Sequence, residues 1–233
     1  EIALDFLPNM TLGVFHDGAM VCDVVSGQMH WHLTMPDEVT ALLMRAFEHD
    51  SITKVFCRVS DQLGYDYLIS GSHLADKIRD TWLAQVPDRV TIHHEAGEDQ
   101  VRQTLGMRIV TDQQDLLDDV EKTIAGLASA DQIFWHRLWF GSAGLYVLQI
   151  YHRDVNKWPA LQRIAKQHAI GDDQIAFIGD QINDVTALRK AACGIAMANA
   201  IAQAKKAANH ITHDCGISGV AHAIDQLLAG RWG

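Results

Sequence analysis

Two carboxylates at the end of an apolar run are the residues of this chain best placed to do chemistry. In the stretch Ile175-Ala176-Phe177-Ile178-Gly179-Asp180-Gln181-Ile182-Asn183-Asp184 the apolar residues read as a buried parallel strand. Gly179 lets the backbone turn tightly, so Asp180 sits at the strand's carboxyl end, and Asn183 is a suitable N-cap for a helix beginning at Asp184. Open α/β sheets place their ligands at the carboxyl ends of strands. Paired carboxylates with an amide oxygen suit a hard cation such as Mg²⁺. The other reading of the same residues is a capped helix start with solvated acids.

Upstream, Asp154-Val155-Asn156-Lys157-Trp158-Pro159-Ala160-Leu161 opens an amphipathic helix with a lysine in its first turn. A positive side chain there opposes the helix dipole. An anionic ligand would account for it, because a helix N-terminus and an ammonium together attract a phosphate. A solvated surface lysine is the alternative.

The order and spacing of these features resemble a known family. Lys157 with Ala160-Leu161, the GDQIND run at 179–184, Leu188, the turn Ala196-Met197-Ala198-Asn199-Ala200 and the closing Gly219-Val220 are similar to the C-terminal half of a haloacid dehalogenase-like phosphatase of the Cof-like branch. The resemblance is specific over residues 150–229 and looser elsewhere. It implies a three-layer α/β/α core with a parallel sheet and an inserted α+β cap. Residues 1–19 would be the N-terminal part of the core, 20–150 the cap, and 151–233 the C-terminal half of the core. The cap's inner surface would select the substrate.

The resemblance also implies a mechanism and its residues. A small phosphorylated metabolite, a sugar phosphate or similar, would be hydrolysed through an aspartyl-phosphate with Mg²⁺ bridging carboxylates and phosphate. Asp180 would be a metal ligand and Asp184 a second, acting directly or through water. Lys157 would neutralise charge developing on the phosphoryl oxygens, and Asn183 would orient loop and phosphate. Trp158 stands where a glycine commonly follows the lysine, and Gln181 where a small residue is common; Trp158 would either narrow the site or pack against the cap.

Val14-Phe15-His16-Asp17-Gly18-Ala19-Met20-Val21 resembles the turn where the branch enters its cap, with His16-Asp17 in place of Ser-Asn or similar. In the family a strand carrying a DxDGT nucleophile and a strand with a phosphate-binding Ser or Thr come before this point. Aligning Asp17 with the second Asp of that motif puts Phe15 at the nucleophile position, so Asp17 reads as a turn residue. The expectation is therefore a chain that carries the metal and lysine part of the site, with the nucleophile supplied by a preceding segment. Without that strand the edge beside Ile175–Ile178 would be open, to be covered by the missing segment or by a second copy. The competing expectation is a non-catalytic anion- and metal-binding or interaction protein derived from the same fold.

Composition narrows the partners. With 233 residues, 48% hydrophobic and 21% charged, the chain can bury one substantial core or two modest ones. A formal charge of −10 argues against nucleic acid or an anionic membrane as the main partner. No apolar run approaches the ~18 residues of a membrane span. Cys22, Cys57, Cys193 and Cys215 are scattered without CxxC spacing, which suggests neither a zinc ribbon nor a disulfide framework and makes a reducing cytoplasm the default setting. His30-Trp31-His32 puts two imidazoles on one strand face, a spacing able to chelate a metal or simply an exposed face.

The elements that must position these residues follow from periodicity. A helix tail at 2–8 and a strand at 12–15 precede a hairpin of 19–25 and 28–34, and Pro36 starts a helix. Strands are predicted at 53–59, 64–70 and 89–95, with helices at 73–85, 98–105 and 114–128. The alternating aromatic run 132–140 should pair with 144–151. Thereafter helix 156–168, strand 175–179, helix 183–192, strand 194–197, helix 200–209 and helix 217–229 alternate as in a parallel sheet covered by helices.

Overall fold

A computed structural model describes residues 12–232, apart from 61–63, 72 and 142. The helix tail expected at 2–8 lies outside the described residues. The chain divides into two compact units, Glu1–Val155 and Asn156–Gly233.

The first unit opens with an antiparallel sheet of β1 (Leu12–Phe15), β2 (Met20–Asp23) and β3 (Met29–His32). The turn between β2 and β3 is closed by the Asp23 carboxylate, which accepts from the backbone N–H of Val25 at 3.0 Å and of Ser26 at 2.6 Å. His30 and His32 lie exposed on one face of β3.

Helix α1 (Asp37–Ala46) leads into a six-stranded sheet. Its strands are β4 (Thr53–Ser60), β5 (Gly64–Ser70), β6 (Val90–His93), β7 (Thr104–Thr111), β8 (Ile133–Phe140) and β9 (Leu145–His152), in the spatial order β6-β5-β4-β7-β9-β8. All neighbours run antiparallel except β5 and β6. The β8–β9 hairpin forms as the aromatic pattern predicts, with Phe140 opposite Leu145.

Period-two alternation gives this sheet two different faces. On one, Phe56, Leu68, Met107, Ile109, Leu148 and Ile150 pack against Val39, Leu43 and Met44 of α1 and against Leu117, Val120 and Ile124 of α2 (Gln114–Ala125). On the other, Val55, Ile69, Val110 and Val147 meet Leu74, Ile78 and Leu83. The same second face continues into polar residues: Cys57, Tyr67, Arg108, His136, Gln149 and Tyr151 follow by alternation.

One expectation fails here. The helix predicted at 98–105 is a short 3₁₀ turn, Glu98–Val101, and the chain then enters β7, whose eight residues are all buried. A strand covered on both faces shows no alternation, and Gly106 and Arg108 interrupt its apolar run. Gly106 is required by space: a Cβ there would lie 2.4 Å from the Tyr151 ring. The helix predicted at 73–85 is realised as Ala75–Lys77 continued by a wider π turn, Ile78–Trp82.

The second unit begins with α3 (Lys157–Gln167), capped by the Asn156 side chain, which accepts from the backbone N–H of Trp158 at 2.9 Å. Strands β10 (Ala176–Gly179), β11 (Cys193–Ala196) and β12 (His210–Ile211) form a parallel sheet in that order. Helices α4 (Val185–Lys190), α5 (Ala202–Ala207) and α6 (Gly219–Leu228) connect and follow them. β12 is an addition to the predicted elements; two residues are too few to leave a periodic signal. Among the described residues β10 pairs with β11 alone. Trp158 is 1% exposed and packs with Ala165, Ile175, Ala187 and Ala191 in this unit's own core.

Candidate functional site

The loop after β10 is organised around one carboxylate. Asp184 is 4% exposed, and its Oδ2 accepts from the backbone N–H of Asp180 at 2.9 Å and of Gln181 at 3.0 Å. Its Oδ1 accepts from the Lys157 Nζ at 2.6 Å. The three residues from Ile182 to Asp184 form a 3₁₀ turn capped by Gln181, and α4 starts only at Val185. The N-cap role expected of Asn183 is thereby corrected: Asn183 is inside the turn, and the reach-back of the Asp184 carboxylate satisfies the loop N–H groups instead. Gly179 makes this possible, since a Cβ there would sit 2.6 Å from the Asp184 Cβ.

Lys157 and Asp184 are thus in direct contact although 27 residues separate them in sequence. The unfavourable placement of a lysine in the first turn of α3 is offset within the protein by this carboxylate. Asp180 is half-buried at the carboxyl end of β10; its Oδ2 accepts from Gln181 Nε2 at 3.1 Å, and its Oδ1 takes no hydrogen bond among the described residues. The Asn183 Oδ1 is buried in the same turn. The loop is fixed from the other side by the Ile201 N–H on the Asp180 carbonyl at 3.0 Å and the Met197 N–H on the Gly179 carbonyl at 3.1 Å.

These donors can be tested against a Mg²⁺ ion. Mg²⁺ binds through one or two carboxylates and keeps several waters or phosphate oxygens. Asp180 fits, because it presents a carboxylate oxygen with free lone pairs. Both oxygens of Asp184 are already engaged, which suits it to holding the loop and the lysine. Among the described residues no group of three or more His, Cys, Asp or Glu side chains gathers to hold a metal, which includes His30 and His32.

A second polar constellation, in the first unit, escaped the sequence reading apart from the turn role of Asp17. His16, Asp17 and Gly18 all have positive φ, 50°, 57° and 108°, a conformation that non-glycine residues adopt seldom and that is concentrated at functional sites. The turn sets His16 against the polar sheet face. Its Nδ1 receives a hydrogen bond from Arg108 Nη2 at 2.8 Å, and its Nε2 lies 3.1 Å from Cys57 Sγ and 3.4 Å from Tyr67 Oη. A guanidinium only donates, so this imidazole is neutral and carries its proton on Nε2. Burial, with the charge of Arg108 added, holds His16 well below the usual histidine range. Burial likewise pushes the Cys57 thiol up to about 12 and raises Tyr67 and Tyr151, so none of the three is an activated nucleophile. Asp17 faces His136, Oδ2 to Nε2 at 3.4 Å.

The sequence signal for this cluster was weak because its members come from β4, β5, β7, β8, β9 and the turn after β1. The one local hint was His16-Asp17 standing before a Gly-Ala turn.

Comparison with known proteins adds the family. Over 201 residues the chain is 27% identical to the 5-amino-6-(5-phospho-D-ribitylamino)uracil phosphatase YitU of Bacillus subtilis, covering 85% of this chain and 69% of that protein. It is 35% identical over 91 residues to YwtE of the same organism, which carries the same printed activity, covering 39% of this chain and 32% of that protein. These matched stretches thus span from about a third to about two thirds of the relatives. In fold the chain is similar to a haloacid dehalogenase-like hydrolase from Bacteroides thetaiotaomicron, with a TM-score of 0.75 at 19% identity over 96% of this chain and 79% of that one. The family profile of haloacid dehalogenase-like hydrolases matches residues 4–224, nearly the whole sequence, and the chain belongs to that family.

Proposed function

We propose that the chain contributes the metal and phosphate side of a Mg²⁺-dependent phosphohydrolase acting on a small phosphorylated metabolite, a sugar phosphate or polyol phosphate. The observation that carries this is the Lys157 ammonium held at 2.6 Å by a buried carboxylate beside Asp180, at the carboxyl end of a parallel strand. Family membership supports it, as do relatives whose printed names give a phosphoribityl compound as substrate. Residues 20–150 are read as the cap and residues 1–19 with 151–233 as core.

In this reading Asp180 binds the metal, which when bound would neutralise phosphate charge and orient the ester. Lys157 donates to a phosphoryl oxygen, where its positive charge is worth more as negative charge accumulates. Asp184 fixes the direction of that ammonium and holds the loop N–H groups, and it reaches the metal through water. Asn183 orients the loop and the phosphate. The aspartyl-phosphate route needs a further carboxylate in line with the phosphorus, and neither Asp180 nor Asp184 has that freedom.

Calorimetric titration tests the reading. Mg²⁺ should bind the wild-type chain, and Asp180→Ala should abolish that binding. Orthovanadate with Mg²⁺ should bind the wild type and lose at least about tenfold in affinity in Lys157→Ala, as expected for a hydrogen bond to a charged group. Unchanged Mg²⁺ binding in Asp180→Ala, or no Mg²⁺-dependent phosphate release from sugar and polyol phosphates by the full gene product, would overturn it.

A further inference from the structure

We infer that the first unit carries a separate binding site for a small zwitterion, an α-amino acid with an apolar side chain, in a cavity at the C-terminal end of α1. By period-two alternation Lys54 and Ser70 of this cavity share the sheet face of Phe56 and Leu68, which is covered by α1 and α2 and is opposite to the face of Arg108. Every residue involved lies in the first unit, so the inference is independent of the loop at Asp180.

The central residue is Lys54, which is 7% exposed. Its Nζ donates to the Met44 carbonyl at 2.7 Å, in the last turn of α1, where the helix dipole favours a cation. Lysines ordinarily bury only the stem and carry the ammonium out to water. This ammonium has three N–H groups and makes one hydrogen bond among the described residues. Glu48 acts on it through its charge, without a hydrogen bond, and burial outweighs that attraction, holding Lys54 below the usual lysine range. The cation therefore borders the cavity with donors to spare, and its acid stands off at the rim.

The cavity measures about 520 Å³, within the range of small-molecule sites. Met44, Phe47 and Ile52, all buried, give it an apolar lining. Ser70 is 3% exposed; its Oγ accepts from the Ala96 N–H at 3.3 Å and keeps its own proton to donate. The exposed Glu48, Asp50 and Glu95 mark the opening. Backbone contacts hold these separate segments in place. A Cβ at Gly71, whose φ is 110°, would lie 2.9 Å from the Ile52 carbonyl, so the chain entering β4 can close on the end of β5 only over a glycine. The Gly71 N–H is shared by the His93 and His94 carbonyls at 3.3 and 3.2 Å, which ties the segment after β6 to the same wall.

Charges of both signs narrow the ligand. A simple anion that reached Lys54 would pass three rim carboxylates, and a simple cation drawn to the rim would face the buried ammonium. A zwitterion meets both, with its carboxylate on Lys54 and Ser70, its ammonium at the acidic rim and an apolar side chain against Met44, Phe47 and Ile52. The same rim disfavours the phosphorylated compounds proposed for the other unit.

The experiment titrates the whole chain with L-leucine, L-methionine and L-phenylalanine, following backbone amide signals and heat of binding. At least one of them should bind saturably and shift the amides of Ser70, Gly71 and Ala96. Two analogues of leucine then separate its charges: 4-methylpentanoate lacks the ammonium and 3-methylbutylamine lacks the carboxylate. Each should bind about tenfold more weakly than leucine or worse, as expected for a lost hydrogen bond between charged groups. Lys54→Met should weaken amino-acid binding about tenfold or more, and Ser70→Ala and Glu48→Gln by smaller factors, so the site is still tested if the lysine variant folds poorly. Either analogue binding as tightly as leucine would overturn the assignment of a zwitterion. Amide signals unmoved by all three amino acids at up to about 10 mM, enough to fill most of any site with a Kd below about 1 mM, would mean that Lys54 only caps α1, and would overturn the inference.

Discussion

Lys157 and Arg108 are both cations withdrawn in part or wholly from water, yet Lys157 meets a carboxylate at 2.6 Å while Arg108 meets an imidazole, a phenol and a carbonyl. In the second unit the charge is compensated inside the protein, and the same carboxylate also satisfies two backbone N–H groups. In the first unit the hydrogen-bond partners are neutral, and the acid that acts on Arg108, Asp17, lines the same cavity without pairing directly with it among the described residues. The difference separates two ways of building a polar site. One is a closed network in which cation and carboxylate touch, and the other is an open network in which the cation touches only neutral groups and its acid stands off.

The closed network should be the more fragile under mutation. Asp184→Ala removes the acceptor of three donors at once, and is expected to lower stability by about 2–4 kcal/mol. Chemical denaturation measures this, and Asp184→Asn, which retains an acceptor oxygen, should lose less. A loss below about 0.5 kcal/mol for the alanine variant would mean that water replaces the carboxylate, and the loop is not held as described.

Gly179→Ala attacks the same network without touching a charge. The new Cβ would meet the Asp184 side chain at 2.6 Å, so strand and carboxylate must separate, at a cost of about 1–3 kcal/mol. Coupling to Asp184→Ala is the sharper measurement. Once the carboxylate is gone the methyl group has room, and the double variant should be more stable than the sum of the two single effects predicts.

The contrast between the cations is tested by replacing each with methionine. Lys157→Met leaves the Asp184 charge buried without its ammonium and should lose about 1–3 kcal/mol. Arg108→Met removes a buried charge whose hydrogen-bond partners are neutral and on which the Asp17 carboxylate acts without a direct ion pair among the described residues, and should stay within about 1 kcal/mol of wild type. Equal losses in the two variants would show that the neutral partners of Arg108 compensate it as fully as a carboxylate does, and the distinction drawn between the sites would fall.

The two sites also differ in how far the sequence discloses them. The loop at 179–184 is contiguous: an apolar run, a glycine and two acids at fixed spacing report strand, turn and site together. Lys157 was found by its awkward position in a helix start, and the parallel alternation around it was legible because helices and strands follow each other at regular intervals. What was missed there concerns tertiary choices. Trp158 turned into the core, and the helix start was taken over by a 3₁₀ turn because the Asp184 side chain reached back. The Arg108 cluster shows the opposite case. Its members come from five strands and one turn, so only the register of the sheet brings them together, and β7, which carries Arg108, was itself hidden by burial on both faces.

The smallest expected effect concerns the pH dependence of the open network. Burial, reinforced by Arg108, keeps His16 neutral and places its folded-state pKa well below the reference value of 6.5. The unfolded chain therefore takes up this proton at a higher pH than the folded one does. Stability supplied by the neutral imidazole is complete above about pH 6.5 and is lost as pH falls below it toward the folded pKa, with a slope of at most about 1.4 kcal/mol per pH unit for one proton. His16→Gln keeps an acceptor for Arg108 but cannot take up a proton. Its stability should fall less steeply than that of wild type between about pH 6.5 and 5, with the two curves parallel above about pH 7. If the two pH curves run parallel throughout, the imidazole is protonated as readily in the folded chain as in the unfolded one, and the neutral donor assigned to Nε2 is wrong.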